Sequence, residues 1–509
     1  MSSSTLARYI NEVPNTVDKK VRSSSRSEAL NNADCSDEDE KSGAAEQTVV
    51  SEKDDGLYAR DEYLDPPPDG GYGWVCCGCV ALMNFATWGP NTCYGIFLSY
   101  FLSSNYFPEA TPTDFAVIGG IVIGLTLILL PFVAACMSIF GYKRTLAFAI
   151  VLEAVAFISS SFAKTVGVLY VTYGVLLGIS FGIIFGSNTI VIPSWFLKKR
   201  ALANGMGHVG VGLGGLVFSF AVHAMIDRTG DHRWAMRMLA ATTFSINILS
   251  LCFVKVRQLK SSNEKENSFE VLKKSFDHSV LKITPLHYSA LWSSFCTVGY
   301  VILMFSISNY ATSIGLPVKE ATVALAIFNG SQALGRPFMG WLSEVAGRCN
   351  ASILLTGYTL ILLLPFWLNI TKFQELVPFC ILLGFGAGVG AVNVVPLVAD
   401  VVGIQRFAAG MGYVFFGNGG VTLFAEVVAL RLRNLESQKP YLRCQIFVIC
   451  MYFGGLLSLL PYREWKVRRV LNARINNELL EDSSKETYEL LLQNTWLNYF
   501  KRMFLPMEI

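Results

Sequence analysis

One arginine in the middle of an apolar stretch is well suited to binding chemistry. Arg336 lies eleven residues before Gly347, which adjoins a basic loop, so at about 1.5 Å per helical residue it sits about 16 Å inside a helix. A guanidinium stays charged and binds a carboxylate through two parallel hydrogen bonds. We predict that Arg336 binds the negative group of a solute. The alternative is a structural ion pair with a carboxylate of the protein itself.

Amide side chains share a helical face with this arginine or occupy other apolar stretches. Gln332 and Asn329 precede Arg336 by four and seven residues, which places them on the same face of a helix. Amides donate and accept hydrogen bonds and therefore suit a small polar molecule, although they join helices to one another about as often. The further candidates for a binding site are Asn91, Asn188 and Asn393.

Three titratable residues within apolar stretches are candidates for carrying a proton. His208 would do so if it faced a cavity, because histidine changes charge near neutral pH, but a buried packing histidine is the commoner case. Glu153 and Glu426 are the alternative proton sites. The sequence has no GxxxxGK[ST] loop and no evident nucleophile–base set. We therefore expect neither enzymatic activity nor a metal or other cofactor.

The composition indicates that membrane-spanning helices position these residues. Of the 509 residues, 52% are hydrophobic and 16% are charged, whereas soluble domains carry about 25% charged residues. The net charge of +3 argues against a nucleic-acid partner and leaves a lipid bilayer and a small-molecule solute as the expected partners. Apolar stretches of about 20 residues, enough to cross a bilayer, recur twelve times. They cover 74–101, 115–137, 144–163, 167–193, 203–226, 236–255, 286–308, 318–341, 350–370, 373–399, 406–430 and 441–461.

The two halves of the sequence repeat at an offset of about 205 residues. Pro131 is followed ten positions later by Gly141, and Pro337 is followed at the same distance by Gly347. The segment Gly205-Met206-Gly207 has its match in Gly410-Met411-Gly412. The repeat predicts an all-α membrane protein of twelve transmembrane helices, in two six-helix bundles related by a pseudo-twofold axis, with solute binding between them near the bilayer midplane.

Loop charges and composition predict the orientation and the domains. Basic residues follow spans 2 and 4, as in Lys143-Arg144, which places those loops and both termini in the cytosol, although the loop after span 11 is also basic. The C-terminal tail contains an amphipathic stretch around Trp496 that would lie on the membrane or bind a regulatory partner. The predicted domains are a disordered cytosolic tail (1–68), the N-terminal bundle (69–255), a cytosolic central loop (256–285), the C-terminal bundle (286–461) and a cytosolic tail (462–509).

Two segments resemble the signatures of the monocarboxylate transporter family of the major facilitator superfamily. The first, before span 1, contains Asp69, Gly70, Gly71, Gly73 and Trp74, and the second, entering span 5, contains Lys198, Lys199 and Arg200. Residues 340–348 are similar to the loop motif of the superfamily, and the resemblance covers roughly residues 66–462, most like the fungal monocarboxylate-permease homologues. In this family both signatures concern conformational change and folding. We expect Asp69 to cap the first helix and the three cations to lie at the cytosolic lip.

Departures from the family pattern determine the functional prediction. Proton-coupled animal members have a lysine in span 1, where this chain has Asn91 after Pro90, and an aspartate four residues before the span 8 arginine, where it has Gln332; Arg336 itself matches. We predict a secondary active or facilitative transporter that moves a small polar, anionic organic solute by alternating access, with symport of a proton as one form. The alternatives are a uniporter of a neutral metabolite or vitamin, and a non-transporting solute sensor. We expect the plasma membrane, with a vacuolar or other internal membrane as the alternative.

Overall fold

The computed structural model describes residues 67–257, 277–403, 406–434, 437, 439–475, 488–493, 495–505 and 507. Within these residues the secondary structure is helical and contains no β-strand. The described chain forms two units, of which one ends at Tyr462 and the other begins at Arg463. Nearly all of the predicted tail 1–68 and most of the predicted central loop 256–285 lie outside the described residues.

Within the described residues, twelve long helices follow the twelve apolar stretches of the sequence, and several of them consist of two segments. The last one continues to Ile475, beyond the predicted end of the apolar stretch at 461. The helices are α1 (Tyr72–Thr92 and Tyr94–Ser104), α2 (Pro112–Ile128 and Leu130–Phe140), α3 (Tyr142–Ser160), α4 (Val166–Trp195), α5 (Arg200–Gly207 and Val209–Thr229), α6 (His232–Phe253), α7 (Thr284–Ser313), α8 (Val318–Val345), α9 (Arg348–Trp367), α10 (Phe373–Ala387 and Val389–Val402), α11 (Phe407–Thr422 and Ala425–Leu432) and α12 (Leu442–Ile475).

Eight of the described helices are long and apolar enough by themselves to cross a membrane. Helix α2 is a ninth when its two segments, which are bent by 52°, are counted together. The bend lies at Pro131, which has no backbone N–H to donate and whose ring clashes with the backbone carbonyl of the preceding turn. The remaining helices, α1, α3 and α8, are more polar, and α8 carries both Arg336 and Glu344.

The internal repeat is visible in the backbone. Gly141 begins α3 with φ 86° and ψ 149°, and its counterpart Gly347 begins α9 with φ 86° and ψ 144°. Positive φ angles of this kind are readily adopted only by glycine, so the repeat preserves the residue that each turn requires. The same turn at equivalent places in both halves confirms the duplication predicted from the sequence.

The two halves, α1–α6 and α7–α12, pack most extensively through two equivalent pairs of helices, and the first segment of α5 also contacts α10. Helix α5 packs against α8, and α2 packs against α11. The repeat relates α2 to α8 and α5 to α11, so the two contacts are equivalent. Glycines allow both: a side chain at Gly205 would overlap the carbonyl oxygen of Arg336, and one at Gly120 would overlap that of Leu423.

The first signature segment makes a different contact from the one expected. The carboxylate of Asp69 accepts hydrogen bonds from the backbone N–H groups of residues 197–199, at 2.7, 2.8 and 3.2 Å, in the turn that precedes α5. Helix α1 begins at Tyr72 after Gly71, whose φ is 60°, without a capping side chain. The expectation was wrong because the backbone N–H of Asp69 donates to the carbonyl of Trp195, which holds the segment beside the turn between α4 and α5.

The second signature segment is exposed only in part. Lys198 and Lys199 are exposed, as expected for cations at a lip. Arg200 is 2% exposed, and its Nε donates to the carbonyl of Phe196 at 3.2 Å, because the first residue of α5 folds back on the turn before it. Trp74 of the first signature packs edge-on against Phe196, which joins the two segments.

Candidate functional site

A cavity lies between the two halves of the helical unit. Its walls are mainly apolar and include three rings in edge-to-face contact. The ring centroids of Trp88 and Phe185 are 5.4 Å apart, and those of Phe185 and Phe415 are 5.5 Å apart. Because α4 provides Phe185 and α11 provides Phe415, the aromatic wall bridges both halves. The polar lining residues are Thr92, His208, Ser293, Thr297, Tyr300 and Arg336.

Arg336 lines this cavity although it is only 1% exposed. Its guanidinium donates hydrogen bonds to the carbonyl oxygen of His208 at 3.1 Å, the hydroxyl of Tyr300 at 3.2 Å and the side-chain carbonyl of Gln332 at 2.7 Å. Nε has no hydrogen-bond partner within the described chain. A side chain at Gly388 would lie 3.2 Å from Nε, so the glycine leaves space beside this free donor.

The positive charge of Arg336 is not balanced by a carboxylate of the described residues. Its hydrogen-bond acceptors are all neutral oxygens, and the ion pairs within the described chain involve other residues. A buried cation without a counter-ion is costly, and inside a membrane such residues usually serve binding or transport. The arrangement provides a pre-formed cation with a spare N–H donor at the cavity wall.

His208 separates the two segments of α5 and faces the same cavity. Its Nδ1 lies 2.9 Å from the carbonyl oxygen of Asn204, which can only accept, so Nδ1 carries the hydrogen and Nε2 is left as an acceptor. No described residue bonds to Nε2. The backbone carbonyl of His208 accepts a hydrogen bond from Arg336. His208 of the first half therefore lines the cavity and also contacts the arginine of the second half.

The predicted amides of α8, Gln332 and Asn329, are hydrogen-bonded in series with Arg336. The side-chain oxygen of Gln332 accepts from the guanidinium and also from the hydroxyl of Tyr300 at 2.9 Å. The amide nitrogen of Gln332 donates to the side-chain oxygen of Asn329 at 3.3 Å. These contacts orient the arginine from behind, while the cavity surface itself carries the guanidinium and Tyr300.

The other predicted amides lie away from the cavity lining. Asn393 accepts from Ser343 at 3.0 Å and donates to Ser352 at 2.9 Å, which joins α10 to α8 and α9. Asn91 and Asn188 are buried in α1 and α4, and neither amide nitrogen has a hydrogen-bond partner in the described parts of the chain. The structure therefore groups Gln332 and Asn329 with Arg336 but does not bring Asn91, Asn188 or Asn393 to it.

The two predicted acidic proton sites are buried in separate places outside the cavity lining. Glu153 of α3 accepts a hydrogen bond from the amide of Asn247 in α6 at 2.7 Å, inside the first half. Glu426 lies in α11 against α2, where a side chain at Gly119 would come within 3.0 Å of its Oε2. That oxygen has no hydrogen-bond partner among the described residues. Of the three predicted proton carriers, His208 is the one that lines the cavity.

Sequence analysis did not identify Tyr300 or the aromatic wall. Every apolar helix of this chain contains aromatic residues, and only the tertiary structure selects those that face the cavity. Tyr300 lies on α7 without a charged neighbour in sequence, so no local pattern indicates its contact with Arg336.

A second group of charged residues joins the halves where α8 ends and α5 begins. The carboxylate of Glu344 accepts from the backbone N–H groups of residues 201–202, at 2.6 and 3.4 Å, in the first turn of α5. A negative charge at that position is favoured by the helix dipole. Arg348 donates to Asp400 at 2.5 Å and to the backbone carbonyl of Leu197 at 3.2 Å. Charged side chains of the second half thus bind the backbone of the first.

The chain is similar in sequence to known transporters. The family model described as Major Facilitator Superfamily matches residues 78–426. The uncharacterized transporter ESBP6 of Saccharomyces cerevisiae is 35% identical, over 88% of this chain and 70% of that protein. The probable transporter MCH2 of the same yeast is 29% identical over 84% of this chain and 88% of its own length. Monocarboxylate transporter 12 of Xenopus laevis is 26% identical over 69% of this chain and 80% of its own length.

A solved structure shares the fold. The human organic anion transporter MFSD10 (TETRAN) superimposes with a TM-score of 0.56 at 12% sequence identity, covering 77% of this chain and 100% of that one. The sequence relatives confirm the resemblance to monocarboxylate transporters that the two signatures indicated, and they are transporters, not enzymes. With its duplicated helical halves, its central cavity and a family match that spans most of both halves, the chain is a multi-pass membrane transporter that belongs to the Major Facilitator Superfamily.

Proposed function

We propose that this transporter carries a small organic anion with an apolar body, and that Arg336 binds the negative group. The observation that supports this proposal is the unbalanced charge of a buried guanidinium that bonds only neutral oxygens of the described chain. A carboxylate in the cavity would neutralise the charge and accept a hydrogen bond from the free Nε, which makes a strong charge-assisted pair. The aromatic wall suits an apolar body on the same solute.

The same contacts provide a route from solute binding to conformational change. Arg336 belongs to the second half, and its hydrogen bond to the carbonyl of His208 ties it to the first half. A solute carboxylate competes with that carbonyl for the guanidinium, so binding alters a contact between the halves. A ligand shifts a conformational equilibrium when its affinity differs between the two states, and alternating access requires such a difference.

The proposal assigns a coupled proton to His208. Its Nε2 is an acceptor at the cavity surface, and a solute anion beside it would stabilise the protonated ring. In His208→Gln the amide keeps a polar group without a titratable one, so uptake would persist but lose its dependence on pH. If uptake by His208→Gln still depends on pH, the proton site is Glu153 or Glu426 instead. If uptake by the wild type does not depend on pH, transport is facilitated diffusion.

We propose that the ends carrying Lys143 and Lys198 face the cytosol, with both termini on that side and the plasma membrane as the location. The positive-inside rule supports this orientation, although Arg431 and Arg433 lie at the opposite end. A C-terminal epitope tag on the chain would then be protected from protease in intact cells and digested after permeabilisation. Digestion in intact cells would show that the C-terminus lies outside the cell. Labelling of an internal membrane would show that the protein is located there and not in the plasma membrane.

The test of solute class is uptake into proteoliposomes with matched pairs of carboxylates and their uncharged amides. Phenylacetate with phenylacetamide, and isovalerate with isovaleramide, keep the apolar body constant while the charge changes. We expect the carboxylates to be taken up and the amides to be excluded. In Arg336→Leu, uptake of the carboxylates should fall about 10- to 100-fold, the equivalent of a lost charged hydrogen bond of about 1.5–3 kcal/mol. Arg336→Lys, which keeps the charge without the planar guanidinium that binds a carboxylate through two parallel hydrogen bonds, should retain part of the uptake.

Arg233→Leu is the matched control, because this arginine is not buried and lies at the start of α6, outside the cavity lining. It should transport like the wild type, while a size-exclusion profile verifies that each variant is folded. Equal uptake of carboxylates and amides, unchanged in Arg336→Leu, would overturn the anion proposal and favour a uniporter of a neutral metabolite. Binding without flux of any solute in the panel would favour a sensor.

A further inference from the structure

The chain beyond α12 contains a short amphipathic helix, α13 (Trp496–Phe504). Four large apolar side chains of this helix are strongly exposed, and Trp496 reaches 82%. Their spacing places them along one side of the helix. Arg502 and Met503 of the same helix are buried. The exposed set, called here the apolar face, consists of Trp496, Leu497, Phe500 and Phe504.

Two arginines hold α13 against the end of α12. The guanidinium of Arg463 donates to the backbone carbonyls of Arg502, Met503 and Leu505, with the last contact at 2.6 Å. These are carbonyls at the carboxyl end of α13, where a helix has unpaired acceptors and favours a cation. In return Arg502 donates to the carboxylate of Glu464 at 2.6 Å. The reciprocal contacts bury all three charged groups and fix α13 to two consecutive residues of α12.

The position of these two residues along α12 determines the depth of α13. The apolar part of α12 ends at Tyr462, and Arg463 and Glu464 follow it directly. At about 1.5 Å per residue, both lie within about 3 Å of the point at which the apolar stretch ends. The residues that anchor α13 are therefore close in sequence to the end of the apolar stretch.

The charges around α13 match an anionic surface. Lys501 is exposed beside the apolar face, and the end of α12 carries Lys466, Arg468 and Arg469. Glu464 is the acidic residue of α12 in this stretch, and it is paired with Arg502. Aromatic residues beside Lys and Arg are typical of helices that lie in the membrane interface. Basic residues near anionic lipid add electrostatic attraction.

We propose that α13 lies flat in the headgroup region of the bilayer that α12 crosses. The apolar face inserts among the lipid chains, and the basic side chains bind anionic headgroups. The surface is therefore a lipid-binding site built from the C-terminal segment. It does not depend on the identity of the transported solute, so it can fail or succeed independently of the anion proposal.

The test places a fluorescent amino acid, acridonylalanine, at Phe500 in the full-length protein reconstituted into nanodiscs. Quenching by lipids brominated along their chains should be several-fold stronger at this position than at Tyr499, which is half-buried on another side of the helix. Both changes replace one aromatic residue by another and serve as matched variants. Equal quenching at both positions, or none at Phe500, would overturn the proposal and assign the apolar face to a protein partner.

A second set of variants separates the two forces. Trp496→Ser combined with Phe504→Ser should strongly reduce quenching of the probe at Phe500, because the apolar area available for insertion falls. Lys501→Gln combined with Arg468→Gln should remove the increase in quenching that phosphatidylserine produces over phosphatidylcholine alone. Unchanged quenching in the first variant would contradict insertion, and an unchanged response to phosphatidylserine in the second would contradict headgroup binding.

Discussion

The α5–α8 contact and the α2–α11 contact are equivalent by the internal repeat, yet they differ in chemistry. Both rely on glycines that let backbones approach closely, as at Gly205 in the first contact and Gly120 in the second. The first contact also contains Arg336, whose position in the repeat is taken by Leu130 in α2. The duplicated fold therefore explains the close packing of both contacts, while the binding chemistry belongs to one copy.

The ends of the two contacts differ in the same way. Glu344 binds the backbone of α5, whereas the equivalent residue of α2 is Ser138, whose hydroxyl donates to a carbonyl of its own helix at 2.7 Å. Arg348 binds the carbonyl of Leu197, whereas its counterpart is Tyr142. At this end, Glu344 and Arg348 of the second half thus bind the backbone of the first half, and the equivalent positions Ser138 and Tyr142 carry no charge. Variants can separate the shared packing from the added charges.

The largest effect is expected from the packing that the two contacts share. Gly205→Ala and Gly120→Ala each place a methyl group against a backbone carbonyl that has little freedom to move. Each should lower the free energy of unfolding by about 1–3 kcal/mol and impair transport, as overpacking does elsewhere. Thermal unfolding of the purified protein measures the change. Gly420→Ala is the control, because a side chain there meets no described atom within 4 Å. If only one of the two glycine variants lost stability, the packing of the two contacts would not be equivalent.

The second-largest effect is expected from the charge of Glu344, which is present in the α5–α8 contact only. Glu344→Gln removes the negative charge from the amino end of α5 and should shift the protein toward states that are open at this end. A loss of about 1–2 kcal/mol corresponds to a population change of about 5- to 30-fold. Distances between spin labels at Lys199 and Val345 report the opening, in a protein without its exposed cysteines. Ser138→Ala, at the equivalent position of α2, should leave the distances unchanged; an equal response would contradict the asymmetry.

A carboxylate introduced beside Arg336 should weaken binding of a solute carboxylate, because it occupies the guanidinium. In Gln332→Asp the new carboxylate pairs with the guanidinium, so affinity for a solute carboxylate should fall about tenfold at neutral pH. Acidification protonates the introduced group, frees the arginine and should restore binding, so affinity rises as pH falls. Dissociation constants measured across pH test this. If the affinity is unchanged at every pH, the charge of Arg336 does not act on the solute.

The smallest effect is expected at the carboxylate of the α2–α11 contact. Glu426 lies between α11 and α2 with an oxygen that has no partner among the described residues, in contrast to the backbone donors around Glu344. Glu426→Gln should therefore change the free energy of unfolding by less than about 1 kcal/mol. Thermal unfolding beside Glu344→Gln compares the two. A strong loss of stability in Glu426→Gln would show that its charge serves the α2–α11 contact after all.

The sequence was sufficient to predict the fold because long apolar stretches and a repeat with turn glycines are strong local signals. In the described part of the chain, helices α1–α12 correspond to the predicted spans, and Gly141 and Gly347 form the same turn. Arg336 was identified because a charge inside an apolar stretch is unusual. Long-range contacts were less predictable: Asp69 binds the turn before α5 although more than a hundred residues separate them in sequence, and the face of each helix that meets the cavity depends on packing.

The central claim is that the buried charge of Arg336 binds the negative group of the solute. The most direct measurement is equilibrium binding of phenylacetate, isovalerate and their amides to purified wild type and Arg336→Leu. The account predicts that a carboxylate binds the wild type, that its amide does not, and that binding in Arg336→Leu falls about 10- to 100-fold. Carboxylates that bind Arg336→Leu as tightly as the wild type, or no better than their amides, would contradict it.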